Sequence, residues 1–172
     1  MSKDQDSIAV ILESLLFRMD EKTAMILKCL DMLTEDELWV RPNEASNSAG
    51  NLILHLCGNI TQYAISALGR KEDIRERDLE FSTRGGYSKQ QLTNKFSKVL
   101  KEAREVILSR TREEWLSEYK VQGFVLSGIG IAVHVVEHYA YHTGQLAFWT
   151  KQLKEVDLGF YSGTNLNTKN DE

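Results

Sequence analysis

The chain has 172 residues, a net charge of −4 and a pI of about 5.6. That length suits one domain able to bury a core without staples, and the acidic balance excludes the basic footprint of a nucleic-acid binder. Two cysteines, Cys29 and Cys57, show neither a CxxC nor a framework spacing and are expected to be buried reduced thiols; the N-terminal MSKDQDS lacks an apolar signal core, which points to the cytoplasm.

The first helix is expected to start at Asp4 or Ser7 and to run to Leu33. Ile8, Ile11, Leu12, Leu15, Leu16, Met19, Ile26, Leu30 and Leu33 recur at helical period along it. Thr34-x-x-Glu37 is a capping box that opens a short turn, and Arg41-Pro42 ends it because the residue before proline avoids the α region. Asn47 or Ser48 caps a second helix that runs to Leu68 with Gly69 as its stop. Leu52, Leu56, Tyr63, Ala64 and Ala67 form its apolar side, while His55, Asn59 and Gln62 share a polar face.

Residues 70–87 form a long connection. Its charges, from Arg70 and Lys71 to Arg77 with Glu72, Asp73 and Glu76 between them, indicate a solvated loop. Neighbouring antiparallel helices need only about 2–8 linking residues, so this length predicts a crossover between the second and third helices. Ser88-x-x-Gln91 opens the third helix, which runs to Ser109 and buries Leu92, Phe96, Val99, Leu100, Ala103, Val106 and Ile107. Thr111-x-x-Glu114 caps a turn that Trp115 and Leu116 anchor, and the stretch from Glu118 to Phe124 is irregular or briefly extended. Ser127 caps the fourth helix, which ends near Lys154. Gly128, Gly130 and Gly144 would let another helix approach it closely. The expected organisation is an all-α four-helix bundle over residues 1–157, followed by a polar tail over 158–172 that Leu158, Phe160 and Tyr161 tether.

The chemistry is concentrated in the fourth helix. Three of the four histidines, His134, His138 and His142, are spaced i, i+4, i+8. Each step turns the side chain by about 40° and climbs about 6 Å, so the imidazoles form one stripe. Glu137 is the only charged residue between Lys120 and Lys151, and a helix so apolar is usually buried. A single buried histidine is ordinarily satisfied by a hydrogen bond; three on one stripe are hard to satisfy that way. A membrane span is excluded by the cost of three histidines, a glutamate and a glutamine in lipid. Adjacent histidines can share one metal ion, but all three, spread over about 12 Å, cannot. His138 belongs to either pair. His55, the only histidine elsewhere, can complete a set of three imidazoles with an open position, which is the catalytic rather than the structural pattern. Cys57 lies about 200° around the helix from His55 and cannot join it on one ion.

HVVEHYAYHTGQ, preceded by the Ser48–Leu56 helix start with its histidine and by the WVRP turn at Trp39 to Pro42, resembles the DinB/YfiT-like metalloenzymes over nearly the whole chain. The resemblance implies a four-helix bundle with an unusual connection order. It also implies a metal site at His55, His138 and His142, and a homodimer. Some characterised members are transferases or isomerases that use bacillithiol, mycothiol or similar thiols; many others have no known reaction, and this chain most resembles that uncharacterised branch. The implied activity is therefore metal-dependent transfer of a low-molecular-weight thiol to a small-molecule substrate, with no nucleic acid or membrane partner. Three imidazoles suit zinc or nickel, with iron or copper as alternatives.

Two other readings remain open. His134-Val-Val-Glu137-His138 is an H-x-x-E-H motif, in which His134 and His138 would bind zinc and Glu137 would be the base of a metallohydrolase. Alternatively, the metal is a staple in a non-catalytic stress-response bundle. Asn59, Glu137 and Gln145 are the candidate catalytic or orienting groups. Tyr141 flanks the stripe, and Trp149 is expected to pack.

Overall fold

The computed structural model describes residues 7–170; the alternative helix start at Asp4 lies outside them. The order is α1 (Ser7–Met32), a 3-10 turn (Glu37–Trp39), α2 (Ala49–Ile60) continued by a π-helical segment (Thr61–Leu68), α3 (Arg77–Ser82), α4 (Lys89–Ser109), α5 (Arg112–Leu116), β1 (Glu118–Val121), β2 (Phe124–Ser127) and α6 (Gly128–Lys154). The helix starts follow the side chains that satisfy otherwise orphaned N–H groups. Ser48 pairs reciprocally with Asn51, Ser88 with Gln91 and Thr111 with Glu114, while the Ser127 hydroxyl accepts from the Gly130 N–H. Thr34 and Glu37 make the same reciprocal pair ahead of the 3-10 turn.

The four long helices α1, α2, α4 and α6 form the bundle. Thr23 meets Tyr139, and Glu37 beyond the end of α1 meets Lys154 at the end of α6, so α1 and α6 run side by side in the same direction. His55 faces His138 while Asn59 faces His134, so α2 runs against α6. Asp20 pairs with Arg104 and Glu35 with Lys89, so α1 runs against α4. The Tyr87 carbonyl, just before α4, accepts from the Trp39 indole that packs on Gly50, and Val106 near the end of α4 packs by Gly69. α2 and α4 are therefore parallel neighbours, and residues 70–87 form the crossover that their length predicts. α2 lies at the centre, with every residue from Ala49 to Ile60 buried except Gly58. Its sequence is apolar nearly all round, and burying such a helix is the main gain available to the fold.

Several expectations need correction. The crossover is not wholly solvated: α3 folds back on α2, and the Arg75 side chain is only 3% exposed. The stretch from Glu118 is extended, as one of the two alternatives had it, and goes further than expected by pairing into a β-hairpin, turned by Gln122 and Gly123 at φ 50° and 83°. Trp115 is buried, but Leu116 is exposed and anchors nothing. A Cβ at Gly128 would press on the backbone of Glu114 and Trp115, whereas nothing approaches Gly144. Ile11 is exposed, as are Val133, Tyr141 and Phe148 on α6, because that helix has an outer face. Leu158 is buried, whereas Tyr161 is exposed. The π segment had no sequence signal; in it the Gly69 N–H reaches the Ala64 carbonyl five residues back. Gly69 itself is right-handed, and the left-handed residue is Arg70. Cys29 and Cys57 are free and buried.

Candidate metal centre

His55 projects from the middle of α2 toward His138 and His142 on α6. Its Nε2 lies 3.0 Å from His138 Nε2, which lies 3.2 Å from His142 Nε2. The three ligand atoms fall within 4.8 Å of one another. The α-helical pitch brings His138 and His142 onto one face, and the antiparallel packing of α2 on α6 supplies the third ring.

The remaining ring nitrogens explain why these atoms converge. His55 Nδ1 lies 2.8 Å from Glu80 Oε2. A carboxylate only accepts, so Nδ1 carries the proton and the Nε2 lone pair faces the cluster. Arg75 Nη2 is 3.2 Å from the same nitrogen, but its shorter bond, 2.8 Å, goes to Glu80 Oε2. Arg75 also donates from Nε to Glu80 Oε1 at 2.7 Å, which completes a bidentate clamp. Burial pushes the Glu80 pKa up, but the bonds from Arg75 and His55 outweigh it and hold the carboxyl below its usual range. On the other side, His142 Nδ1 donates to Gln145 Oε1 at 2.7 Å, which leaves its Nε2 lone pair facing the cluster as well.

The backbone positions this frame. Glu80 sits on α3, and Asn51 Nδ2 donates to the Glu80 and Thr83 carbonyls at 2.9 and 2.8 Å, tying α3 to the start of α2. Gly58, one turn beyond His55, makes the room: a Cβ there would overlap Glu80 Oε1. The Phe81 ring covers His55 at 4.7 Å between centroids.

At most one proton is available among the three facing Nε2 atoms, and His138 Nδ1 is buried without a partner. Protonation is no remedy. Burial, and then the positive charge that His142, His55, His134 and Arg75 would oppose to it, lower the His138 pKa to about 3. Burial lowers that of His142 too, against the bond to Gln145. A cation uses all three lone pairs at once. Ligands on a tetrahedral ion with bonds of ~2.1 Å stand ~3.4 Å apart, within a few tenths of an ångström of the two spacings that His138 makes, while the cluster as a whole spans no more than 4.8 Å. The residues present fit a metal ion.

The other candidates are placed as follows. His134 is not in the cluster: its Nε2 lies 3.3 Å from Asn59 Nδ2, and its ring stacks on Tyr63 at 4.0 Å. Burial lowers its pKa, against the pull of Glu137. Asn59 is buried beside it with its Oδ1 unpartnered. Gln62 accepts from Arg75 and donates to Asp73, outside the cluster. Glu137 is exposed, and the carboxylate that orients an imidazole is Glu80 instead. Tyr141 is exposed and edges onto His142 at 5.0 Å, so it is not core. Gln145 serves His142 and borders a cavity, while the Trp149 indole N–H donates to the Val40 carbonyl. Sequence reasoning missed Arg75, Glu80 and Phe81; Gly58 within an otherwise continuous helix was the one available hint of a close neighbour.

No helix among the described residues is long and apolar enough to cross a membrane. The family described as "Protein of unknown function (DUF1572)" matches residues 4–163. A DinB-like protein from Bacillus cereus ATCC 10987 superposes with a TM-score of 0.63 at 17% identity, over 83% of this chain and 90% of its own. YjoA, a DinB-like protein from Bacillus subtilis, gives 0.64 at 18% identity, over 88% of this chain and 96% of its own. The fold is the DinB-like one that the sequence resemblance implied. No curated protein matches the chain.

Proposed function

The chain belongs to the DUF1572 family, and from that premise we propose that it is a metal-dependent enzyme in which His55, His138 and His142 bind one divalent cation. Zinc or nickel suits three imidazoles best, with iron or copper as alternatives. The observation that carries this reading is the convergence of three Nε2 atoms whose rings are fixed from behind by Glu80 and Gln145. When bound, the cation supplies Lewis acidity that lowers the pKa of a thiol or water beside it. The histidines are neutral ligands and leave its charge undiminished. Glu80, clamped by Arg75, keeps the proton on His55 Nδ1, and Gln145 does the same for His142.

The proposed reaction is transfer of a low-molecular-weight thiol, of the bacillithiol type, to an electrophile. The thiol sulfur bonds to the electrophilic carbon, the leaving group departs with its bonding pair, and the thiol proton passes to solvent. Support comes from the characterised members of the family that the sequence resembles. The H-x-x-E-H hydrolase is not proposed, because His134 is turned to Asn59 and Tyr63.

The test begins with metal analysis of protein purified without a histidine tag, where about one divalent ion per chain is expected. Electrophiles are then screened with bacillithiol, glutathione and cysteine. Consumption of one thiol that a chelator abolishes supports the reading. A loaded protein inert across the panel would instead favour a metal staple.

A further inference from the structure

A cavity of about 560 Å³ lies between the loop before α2 and the second half of α6, bounded by Pro42, Asn43, Asn47, Gln145, Phe148 and Trp149 among others. Its size falls in the range of small-molecule sites, about 300–1,000 Å³. No charged side chain lines it. Four amides line it: Asn43, Asn47, Gln145 and Gln152. Asn43 Oδ1 already accepts from the Ala45 N–H and the Ser46 hydroxyl. Asn47 Oδ1 accepts from Arg41, and Gln145 Oε1 accepts from His142. A backbone N–H and a guanidinium can only donate, so the Asn43 and Asn47 orientations are fixed by their partners. The His142 contact is consistent with the same sense. Three oxygens are thus consumed and three N–H2 groups are left without a partner among the described residues, while Gln152, engaged at neither end, can turn its oxygen or its nitrogen inward. Behind Asn47 stands the Arg41 guanidinium. Phe148, 65% exposed, and Trp149, pinned through its indole N–H, supply flat apolar surface.

We infer that this cavity binds a small molecule that combines a flat apolar ring with a carboxylate. The ring lies against Phe148 and Trp149, and the carboxylate accepts from the amide N–H2 groups of Asn43, Asn47 and Gln145. Three amides fixed as donors, a fourth free to turn its donor inward, no acidic side chain and a guanidinium hydrogen-bonded to Asn47 favour an anion with several lone pairs over an ammonium ion, which could only present more donors. The site is built from protein groups alone and does not require the metal. Gln145 makes it contiguous with the metal centre, since its oxygen holds His142 and the same residue lines the cavity.

The probes are benzoate and benzylammonium, titrated into the full chain by calorimetry. Benzoate is expected to bind once per chain and at least about tenfold more tightly than benzylammonium. Asn47→Asp keeps the bond to Arg41 while replacing a donor with an acceptor, and Asn43→Asp keeps its turn oxygen. The double variant should therefore fold, weaken benzoate by at least about tenfold and bring benzylammonium level with it or above; Asn47→Asp alone should shift each probe in the sense in which the double variant shifts it. Benzoate can also ligate metals, so the titration is repeated on His138→Ala, where binding should persist. No benzoate binding at about 10 mM, equal binding of both probes by the native chain, unchanged benzoate affinity in the aspartate variants, or its loss in His138→Ala would each overturn the assignment.

Discussion

His138 shares its Nε2 environment with both other cluster histidines, so its removal should be the most damaging to metal binding. We expect His55→Ala, His138→Ala and His142→Ala each to lose metal at neutral pH, with folding checked by circular dichroism. His134→Ala should retain most of it, since that ring faces Asn59. Metal kept in His142→Ala and lost in His134→Ala, by elemental analysis, would reverse the assignment. The pKa of His138 gives a second expectation, for the metal-free protein. Its folded value, about 3 against an ordinary 6.5, is depressed, so the unfolded chain takes up the proton first. The stability contribution of the neutral ring is complete above about pH 6.5 and is lost as the pH falls toward 3. The urea midpoint should fall across that window, and less steeply in His138→Ala. These histidines were legible because a stripe at i, i+4, i+8 is a geometric statement about a helix. Glu80 and Arg75 were not, because the histidine they serve lies 25 and 20 residues away and their neighbours are the charged residues of a surface connection.

At the level of the elements, the helix starts were written in the chain, since a Ser or Thr followed three residues later by Glu, Gln or Asn satisfies N–H groups locally. α3 escaped because six residues carry too little periodicity, and its position depends on Asn51 holding the Glu80 and Thr83 carbonyls. The contact at Gly58 makes a prediction in which two effects oppose each other. In an isolated helix Gly→Ala gains about 1 kcal/mol. Here the added methyl displaces a buried carboxylate that Arg75 and His55 hold. Gly58→Ala should therefore lower metal affinity by about tenfold or more without raising the urea midpoint. A higher midpoint with unchanged affinity would show that Glu80 moves aside at no cost.

On the scale of the whole molecule, the crossover was legible from length alone, while the pairing of α1 with α6 and of α2 with α4 required tertiary contacts that no local pattern encodes. The outer face of α6 carries Tyr141 beside Gly144, which nothing approaches, and α1 leaves Phe17 61% exposed. We propose these faces as the contact between two copies, in line with the homodimers of the family that the sequence resembles. Light scattering at micromolar concentration should give twice the chain mass, and Phe17→Asp should reduce it toward the monomer. A monomeric native chain would remove this proposal.

The two thiols, Cys29 in α1 and Cys57 in α2, are 0% and 2% exposed. Burial raises both pKa values, that of Cys57 to about 12, so at neutral pH the folded chain offers an electrophile no thiolate of its own. Alkylation must wait for an opening that frees the helix concerned. Iodoacetamide labelling, followed residue by residue, therefore measures how often α1 and α2 each come loose. A cation shared by α2 and α6 should slow the labelling of Cys57 more than that of Cys29, and equal slowing would mean that both helices open only with the entire bundle.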